Sequence, residues 1–205
     1  MAETAPVQLL LASASLSRRK LLEAAGVPFR VVAANVDEAA LKRRLAARGA
    51  QNSPAAIAKS LAAAKAQSAS STFGACLVVG ADQVLVLDDE LFDKPEDLVA
   101  ARAQLKRLRG RVHQLLTAVA LAQEGEVVWS MVDHATLQMR DFSDAFLDTY
   151  LAEAGPSLCQ IVGSYAIEGR GIQLFQRIDG DHFTIVGLPL VPLLDELRAR
   201  GVIQT

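Results

Sequence analysis

A set of acids, Asp37, Glu38, Asp82 and Glu168, and a set of bases, Arg18, Arg19, Lys65 and Lys94, fall at the ends of predicted helices and strands. Carboxylates so placed hold a divalent cation such as Mg²⁺ or Mn²⁺ and activate water, while lysine and arginine neutralise phosphate oxygens. Together they are the inventory for metal-assisted attack on a polyphosphate. Asp82 is the most pointed of the acids. It ends the apolar run Cys76-Leu-Val-Val-Gly80-Ala81, and a carboxylate at the mouth of a buried strand is costly unless it caps a turn, pairs with a cation or meets a metal. Ligand sites in open α/β sheets also lie off strand ends. Asp37 and Glu38 are read two ways: as dipole-friendly surface acids at a helix start, or as part of the site. Lys59 and Lys65 sit on a predicted helix, where solvation is the default for a lysine. Lys94 precedes Pro95 and a helix start, where an ammonium and backbone amides can share an anion.

The bases need an element that aims them, and Leu9–Leu22, LLLASASLSRRKLL, supplies one. Leu9, Leu10, Leu11 and Ala12 read as a buried strand. Ser13, Ser15 and Ser17 crowd the change of period, and Leu21, Leu22 and Ala25 follow at helical spacing, with Gly26 and Pro28 as the stop. A strand that passes through serines into a helix leaves backbone N–H groups pointing out of the positive end of the helix dipole. Arg18 and Arg19 in that first turn oppose the dipole. Either they point into water, or hydroxyls, amides and guanidinium groups converge on an anion such as phosphate.

The remaining elements alternate. Val7 to Ala12 is the first strand and Ser15 to Ala25 the first helix; Phe29 to Ala34 is a second strand, and a helix runs from the Asp37-Glu38 pair to about Arg48. After a loop over residues 49–54, Ser53-Pro54 opens an alanine-rich helix to about Ser68. A small-residue loop then spans Ser68 to Gly74. Cys76 to Gly80 and Val84 to Leu87 read as two β runs on either side of Ala81-Asp82-Gln83, with Asp88-Asp89 as a hairpin tip. A helix follows over Glu96 to Arg109, then two long strands, Val112 to Ala122 and Val127 to Met139, joined at Glu124-Gly125. Ser143 caps a helix over Asp144 to Ala154. The glycine-dense segment Gly163 to Gly171 leads into a strand from Ile172 to Phe175, and Glu168 and Arg170 within it read as binding rather than packing residues. Phe183 to Val186 is a short strand, and a helix over Val191 to Arg200 closes the chain. Strands alternating with helices plus a long hairpin indicate an α/β protein with a mixed sheet.

Composition narrows the class. The chain has 205 residues, 51% of them hydrophobic, and a formal net charge of −2. That is ample for one domain with a core, and near-neutral charge argues against broad electrostatic binding to nucleic acid or anionic membrane. Cys76 and Cys159 are too far apart and too few for a disulfide framework or a zinc pattern. No apolar run reaches membrane-spanning length and the MAETAP start lacks a signal-peptide core, so the cytoplasm is the expected compartment. No Walker A or GxGxxG pattern is present. His113, His134 and His182 stand outside any HExxH or serine-elbow context, which argues against catalytic histidine chemistry.

LASASLSRRKLL, Val36-Asp-Glu38, Leu61-Ala-Ala-Ala-Lys65-Ala66, Gly80-Ala-Asp82-Gln83-Val84, Lys94-Pro95, Gly163-Ser-Tyr-Ala-Ile-Glu168-Gly169 and Gly187-Leu-Pro-Leu190 resemble, in order, the successive motifs of the Maf family of nucleoside triphosphate pyrophosphatases. The resemblance runs from Leu9 to Leu190. It implies a Maf/Ham1-like (ITPase-like) α/β fold: a mixed, elongated central sheet flanked by helices, a single domain over residues 1–205, and a cleft between two lobes. It also implies cleavage between the α and β phosphates of a nucleotide, giving a monophosphate and pyrophosphate, with Mg or Mn as cofactor. Residue by residue, Asp82 becomes the proton acceptor, Ser13, Arg18, Lys65 and Lys94 phosphate ligands, and Glu38 a metal ligand or second catalytic acid, with Asp82 the other metal ligand.

Two branches of the family separate at a few positions. The branch acting on dTTP and UTP reads Gly-Ala-Asp-Thr at the base and carries a glutamine later; here Gln83 and Glu168 stand at those places and resemble the branch acting on 7-methyl-GTP. A carboxylate such as Glu168 accepts from the N1–H and exocyclic amine of guanine and favours the positive N7-methylated ring. Ser17 stands where that branch has an aromatic residue, a stacking partner for a cationic ring, and a serine cannot stack. The expected substrate is thus a modified nucleotide, 7-methyl-GTP. The alternatives are a dTTP/UTP pyrophosphatase, or a non-catalytic nucleotide-binding regulator of cell division, since the family is also linked to septum formation. Neither nucleic acid nor membrane is an expected partner. The long hairpin strands suit a homodimer, as is frequent among members of the family.

Overall fold

The computed structural model describes residues 8–47 and 53–204. Val7, Arg48 and the expected loop at 49–52 lie outside the described residues. Strand β1 (Leu9–Ala12) is buried at all four positions, as expected of a strand covered on both faces. It leads through the serines into helix α1 (Leu16–Ala24), whose N-cap is Ser15, its hydroxyl accepting from the Arg18 amide. Strand β2 is Arg30–Val32, shorter than the apolar run suggested. Helix α2 (Glu38–Ala46) is capped by Asp37, which accepts from the Ala40 amide at 2.8 Å. Helix α3 is Pro54–Phe73, with Ser53 as N-cap.

Strand β3 runs unbroken from Leu77 to Leu87, and β4 is Glu90–Phe92. Then come α4 (Leu98–Leu108), β5 (Val112–Gln123), β6 (Glu126–Met139) and α5 (Asp144–Ala154). Three 3-10 segments follow, then β7 (Phe175–Asp179), a short α6 (His182–Val186) and α7 (Leu190–Ala199). The sheet has seven strands in the order β2-β1-β3-β5-β6-β7, with β4 also pairing β3. β1 is parallel to both β2 and β3, while β3–β4 and β6–β7 are antiparallel. The sheet is therefore mixed and flanked by helices, as expected.

The chain forms two compact units. The first holds the described residues of 1–82, 117–133 and 187–205; the second holds 83–116 and 134–186. In the first, Leu10, Ala12, Ala69 and Val78 form one apolar cluster between sheet and helix. In the second, a larger core gathers Leu85, Leu105, Leu115, Leu137, Leu147, Tyr150 and Phe175.

Four expectations need correction. The small-residue stretch from Ser68 is helix, continuing to Phe73. The hydroxyls of Ser71 and Thr72 donate back to the carbonyls of Gln67 and Ser68, one turn earlier, so side chains that commonly compete with a helix here sit within one. The helix stops at Gly74, where φ is +54°. Residues 172–174 are not strand: Arg170–Leu174 is a 3-10 turn and β7 begins only at Phe175. Gly171 permits that turn because a Cβ there would lie 2.5 Å from the Ala166 carbonyl oxygen. Residues 183–186 are helix, started by Asp181, whose carboxylate accepts from the Thr184 amide at 2.8 Å. Finally, the two β runs around Asp82 are one strand, which places Asp82 in its middle rather than at its end.

Candidate active site

The serine-to-helix turn builds a cradle around one guanidinium. Ser13 is buried, and its Oγ accepts from the Ser15 amide at 3.2 Å and from Arg18 Nη1 at 3.3 Å. A hydroxyl that accepts twice keeps its one proton to donate. Arg18 Nη1 also donates to the Ala81 carbonyl at 2.9 Å, and Nε to the Gly187 carbonyl at 2.7 Å. One side chain thereby ties α1 to the middle of β3 and to the segment that opens α7. Burial pulls the guanidinium below its ordinary pKa, while the nearby Asp82 and Glu38 carboxylates pull it back up. An arginine remains charged under such a shift. Arg19, its neighbour, does something else: its Nε pairs with Glu23 at 2.7 Å, one turn along an exposed helix face. Of the two arginines in the first turn, one solvates the surface and the other builds a site.

Asp82 is 7% exposed, which makes it one of the few buried charged residues. Its Oδ1 accepts from Lys65 Nζ at 2.6 Å, and the same ammonium lies 3.0 Å from Glu38 Oε1. The strand could continue through a buried carboxylate because a lysine reaches it from α3. That reach depends on Gly80, which lies two residues before Asp82 and so on the same face of β3. A Cβ on Gly80 would stand 2.3 Å from the Ala62 carbonyl oxygen and 2.5 Å from the Ala66 nitrogen. Ala62 and Ala66 are fully buried. Glycine facing two alanines lets helix and strand approach at backbone distance, and Lys65, between those alanines in sequence, meets Asp82. The role of Gly80 is one that residue chemistry passed over. A glycine inside an apolar strand was the available signal, since it marks close backbone approach.

Ser13, Arg18, Glu38, Lys65 and Asp82 are thus brought together within the first unit. Two carboxylates within 3.0 Å of one nitrogen form an all-oxygen donor pair of the kind that suits a hard divalent cation. Among the described residues no group of three or more His, Cys, Asp or Glu side chains is placed to hold a metal. Ser17, on the same turn, is half-buried.

Gln83, Lys94 and Glu168 belong to the second unit. Gln83 Nε2 donates to the carbonyls of Thr184 and Ile185, at 3.0 and 3.1 Å. Lys94 is exposed, ahead of Pro95 and of Asp97, the α4 N-cap. Glu168 is exposed in the turn closed by the Gly169 amide donating to the Ala166 carbonyl. Arg170, read from the sequence as a binding residue, pairs with Glu153 and lies 5.4 Å from the Phe146 ring centroid. A cavity of about 430 Å³ in this unit is lined by Arg140, Phe142, Ser143, Phe146 and Gln173, none of them among the expected site residues. No helix among the described residues is long and apolar enough to cross a membrane.

Fold and site define an α/β protein that sets a serine–arginine cradle beside two carboxylates sharing one lysine. The family model described as Maf-like protein matches residues 8–200. The chain belongs to the Maf family. It is 47% identical to the 7-methyl-GTP pyrophosphatase of Rhizobium meliloti (strain 1021) across 96% of this chain and 98% of that protein. It is likewise 47% identical to the protein of the same name from Brucella abortus biovar 1 (strain 9-941), across 97% and 98%. A nucleoside triphosphate pyrophosphatase from Rhodospirillum rubrum is 48% identical, across 95% of this chain and 96% of its own length.

Proposed function

We propose that this chain is a nucleoside triphosphate pyrophosphatase that hydrolyses the α–β phosphate bond of a modified nucleotide, 7-methyl-GTP, to the monophosphate and pyrophosphate. One observation carries the reading: a buried aspartate in mid-strand, 2.6 Å from a lysine that also holds a second carboxylate, beside the Arg18 cradle. A buried charge kept at such cost needs a task. Asp82 accepts the proton of the attacking water as the water oxygen bonds to the α-phosphorus and the α–β anhydride bond breaks. The pyrophosphate departs with the bonding electron pair. Arg18, Ser13 and Lys65 offer donors to the phosphate oxygens on which charge builds, the largest single contribution in many phosphoryl transfers. Asp82 and Glu38 are the residues that would hold Mg²⁺ or Mn²⁺, which when bound supplies further neutralisation of those oxygens.

Lys94 is assigned to the phosphates, and Ser17, Gln83 and Glu168 to the base. The two relatives named for 7-methyl-GTP support that choice of nucleotide, and the carboxylate of Glu168 is of the chemistry that suits a cationic guanine. The deciding experiment is a steady-state panel of nucleotides, 7-methyl-GTP, GTP, dTTP and UTP among them, with products resolved. The expected result is highest kcat/KM on 7-methyl-GTP, monophosphate plus pyrophosphate as products, and no turnover under chelator. Preference for dTTP overturns the role of Glu168. Diphosphate plus phosphate as products overturns the bond assigned.

A further inference from the structure

Lys65 is placed unlike a lysine that waits for phosphate. Its Nζ lies 2.6 Å from Asp82 and 3.0 Å from Glu38, bridging a carboxylate on β3 and one on α2, and its side chain is about as buried as that of Asp82. Arg18, the other cation whose field reaches both acids, is anchored to Ser13 and to the carbonyls of Ala81 and Gly187, so it is not the group that bridges them. Without an ammonium between them, two converging carboxylates repel, and the buried one is left uncompensated. Lysine also differs from arginine in being a compact point charge on a flexible four-carbon stem. It can hold two carboxylates in one rotamer and give them up in another.

We propose that Lys65 is an internal counter-ion that holds the place of the divalent cation between Asp82 and Glu38 and yields it when the phosphates of a bound nucleotide draw its ammonium away. The proposal rests on the pyrophosphatase reading for the identity of that nucleotide. It assigns Lys65 two successive partners: the carboxylates in the free protein, and phosphate oxygens in the complex. Two consequences follow from linkage. The free protein binds a divalent cation weakly, because the ion must displace a cation already in place. Nucleotide and metal each tighten the other, and part of that coupling passes through this one side chain.

The test uses Mn²⁺ alone, with no nucleotide, and reads free Mn²⁺ by electron paramagnetic resonance in titrations of the full chain. Lys65→Met is expected to bind one Mn²⁺ more tightly than the wild type by roughly 5-fold or more, the lower end of ordinary coupling between sites. Its thermal midpoint should also rise with Mn²⁺ by more than that of the wild type. The gain should disappear in Lys65→Met/Asp82→Asn. Should Lys65→Met fail to fold, Lys65→Gln, which keeps polarity and loses charge, serves the same titration. An affinity equal to or weaker than that of the wild type overturns the proposal, and so does a gain that survives the loss of Asp82. Neither result depends on turnover: a protein inactive on every nucleotide yet showing the gain would remove the pyrophosphatase reading and leave Lys65 as counter-ion.

Discussion

Among the described residues, one group of polar side chains in each unit is largely withdrawn from solvent, and the two are built on opposite terms. Asp82, Lys65 and Arg18 are charged, and they are satisfied by one another, by Glu38 at the surface and by backbone carbonyls. His113, Tyr165, Tyr150 and Ser164 are neutral. His113 Nε2 is 2.8 Å from the Tyr165 hydroxyl, and the Tyr150 hydroxyl donates to the Ser164 carbonyl at 3.2 Å. Burial pushes the Tyr150 phenol up to about 12, holds Tyr165 well above its ordinary range and draws His113 down to about 4, so each stays uncharged near neutral pH. The rings add a Tyr165–Phe175 edge contact at 4.8 Å. His113 Nδ1 and Ser164 Oγ are buried without a hydrogen-bond partner among the described residues, so this neutral group is held by packing more than by a completed polar network. A charged one costs desolvation that packing alone does not require, and its half-exposed member, Glu38, leaves it open to a ligand.

The separation is sharpest if each group is broken in turn. Asp82→Asn removes the proton acceptor and leaves Lys65 paired with Glu38. Turnover of 7-methyl-GTP is expected to fall by roughly 10²–10⁴-fold, as for loss of a general base, while nucleotide affinity in equilibrium titration without divalent metal changes little. Retained turnover would end the assignment. Arg18→Lys keeps the charge but not the planar fork, so it cannot reach Ser13, Ala81 and Gly187 together. A drop in kcat/KM of about 10–100-fold is expected, the equivalent of one charged hydrogen bond at about 1.5–3 kcal/mol, and Arg19→Lys should leave the rate within twofold or so. Equal losses at both positions would mean that the cradle does not select Arg18. Gly80→Ala should cost about 1–3 kcal/mol by denaturant unfolding, as overpacking does, and should slow turnover because α3 must retreat from β3 and take Lys65 with it. A rate unchanged at lowered stability would separate Lys65 from the chemistry.

Much of this site was legible because its chemistry is carried by residue types that packing does not favour. Asp82 in an apolar run and the serines ahead of Arg18 declared themselves. Their pairings did not. Lys65 looks like any helix lysine until Gly80 is seen to bring α3 to within backbone distance, a pairing across 17 residues that no local pattern encodes. For the same reason β3 read as two pieces: the polar break at Asp82-Gln83 is compensated from outside the strand. The short misread elements have a different cause. Five residues such as His182–Val186, with β-branched side chains, fit either a strand or a helical turn, and the Asp181 carboxylate on the Thr184 amide decides it. Arg170 read as a binding residue because glycines surround it, yet Glu153 and Phe146 occupy it.

The neutral group supplies the smallest expected effect on catalysis and the clearest contrast. His113 is 1% exposed and draws its lowered pKa, about 4, from burial. The unfolded chain, with an ordinary histidine near 6.5, takes up a proton that the folded protein refuses between those two values. Stability contributed by the neutral ring is therefore fully present above about pH 6.5, declines as pH falls towards 4 and levels off below it. Between pH 7.5 and pH 5 the loss amounts to about 2 kcal/mol. Urea unfolding of the wild type and His113→Gln at both values isolates this share, because His134 and His182 remain in the two proteins alike. The variant should lose about 2 kcal/mol less on acidification, with kcat on 7-methyl-GTP at pH 7.5 within about twofold of the wild type, as for a substitution that leaves the reacting groups in place. A parallel pH slope in both proteins would show that His113 is protonated in the folded state and that this group is not the neutral one its burial makes it. A collapse of kcat with an intact fold would break the contrast from the other side, by making the second unit's core part of the catalytic machinery.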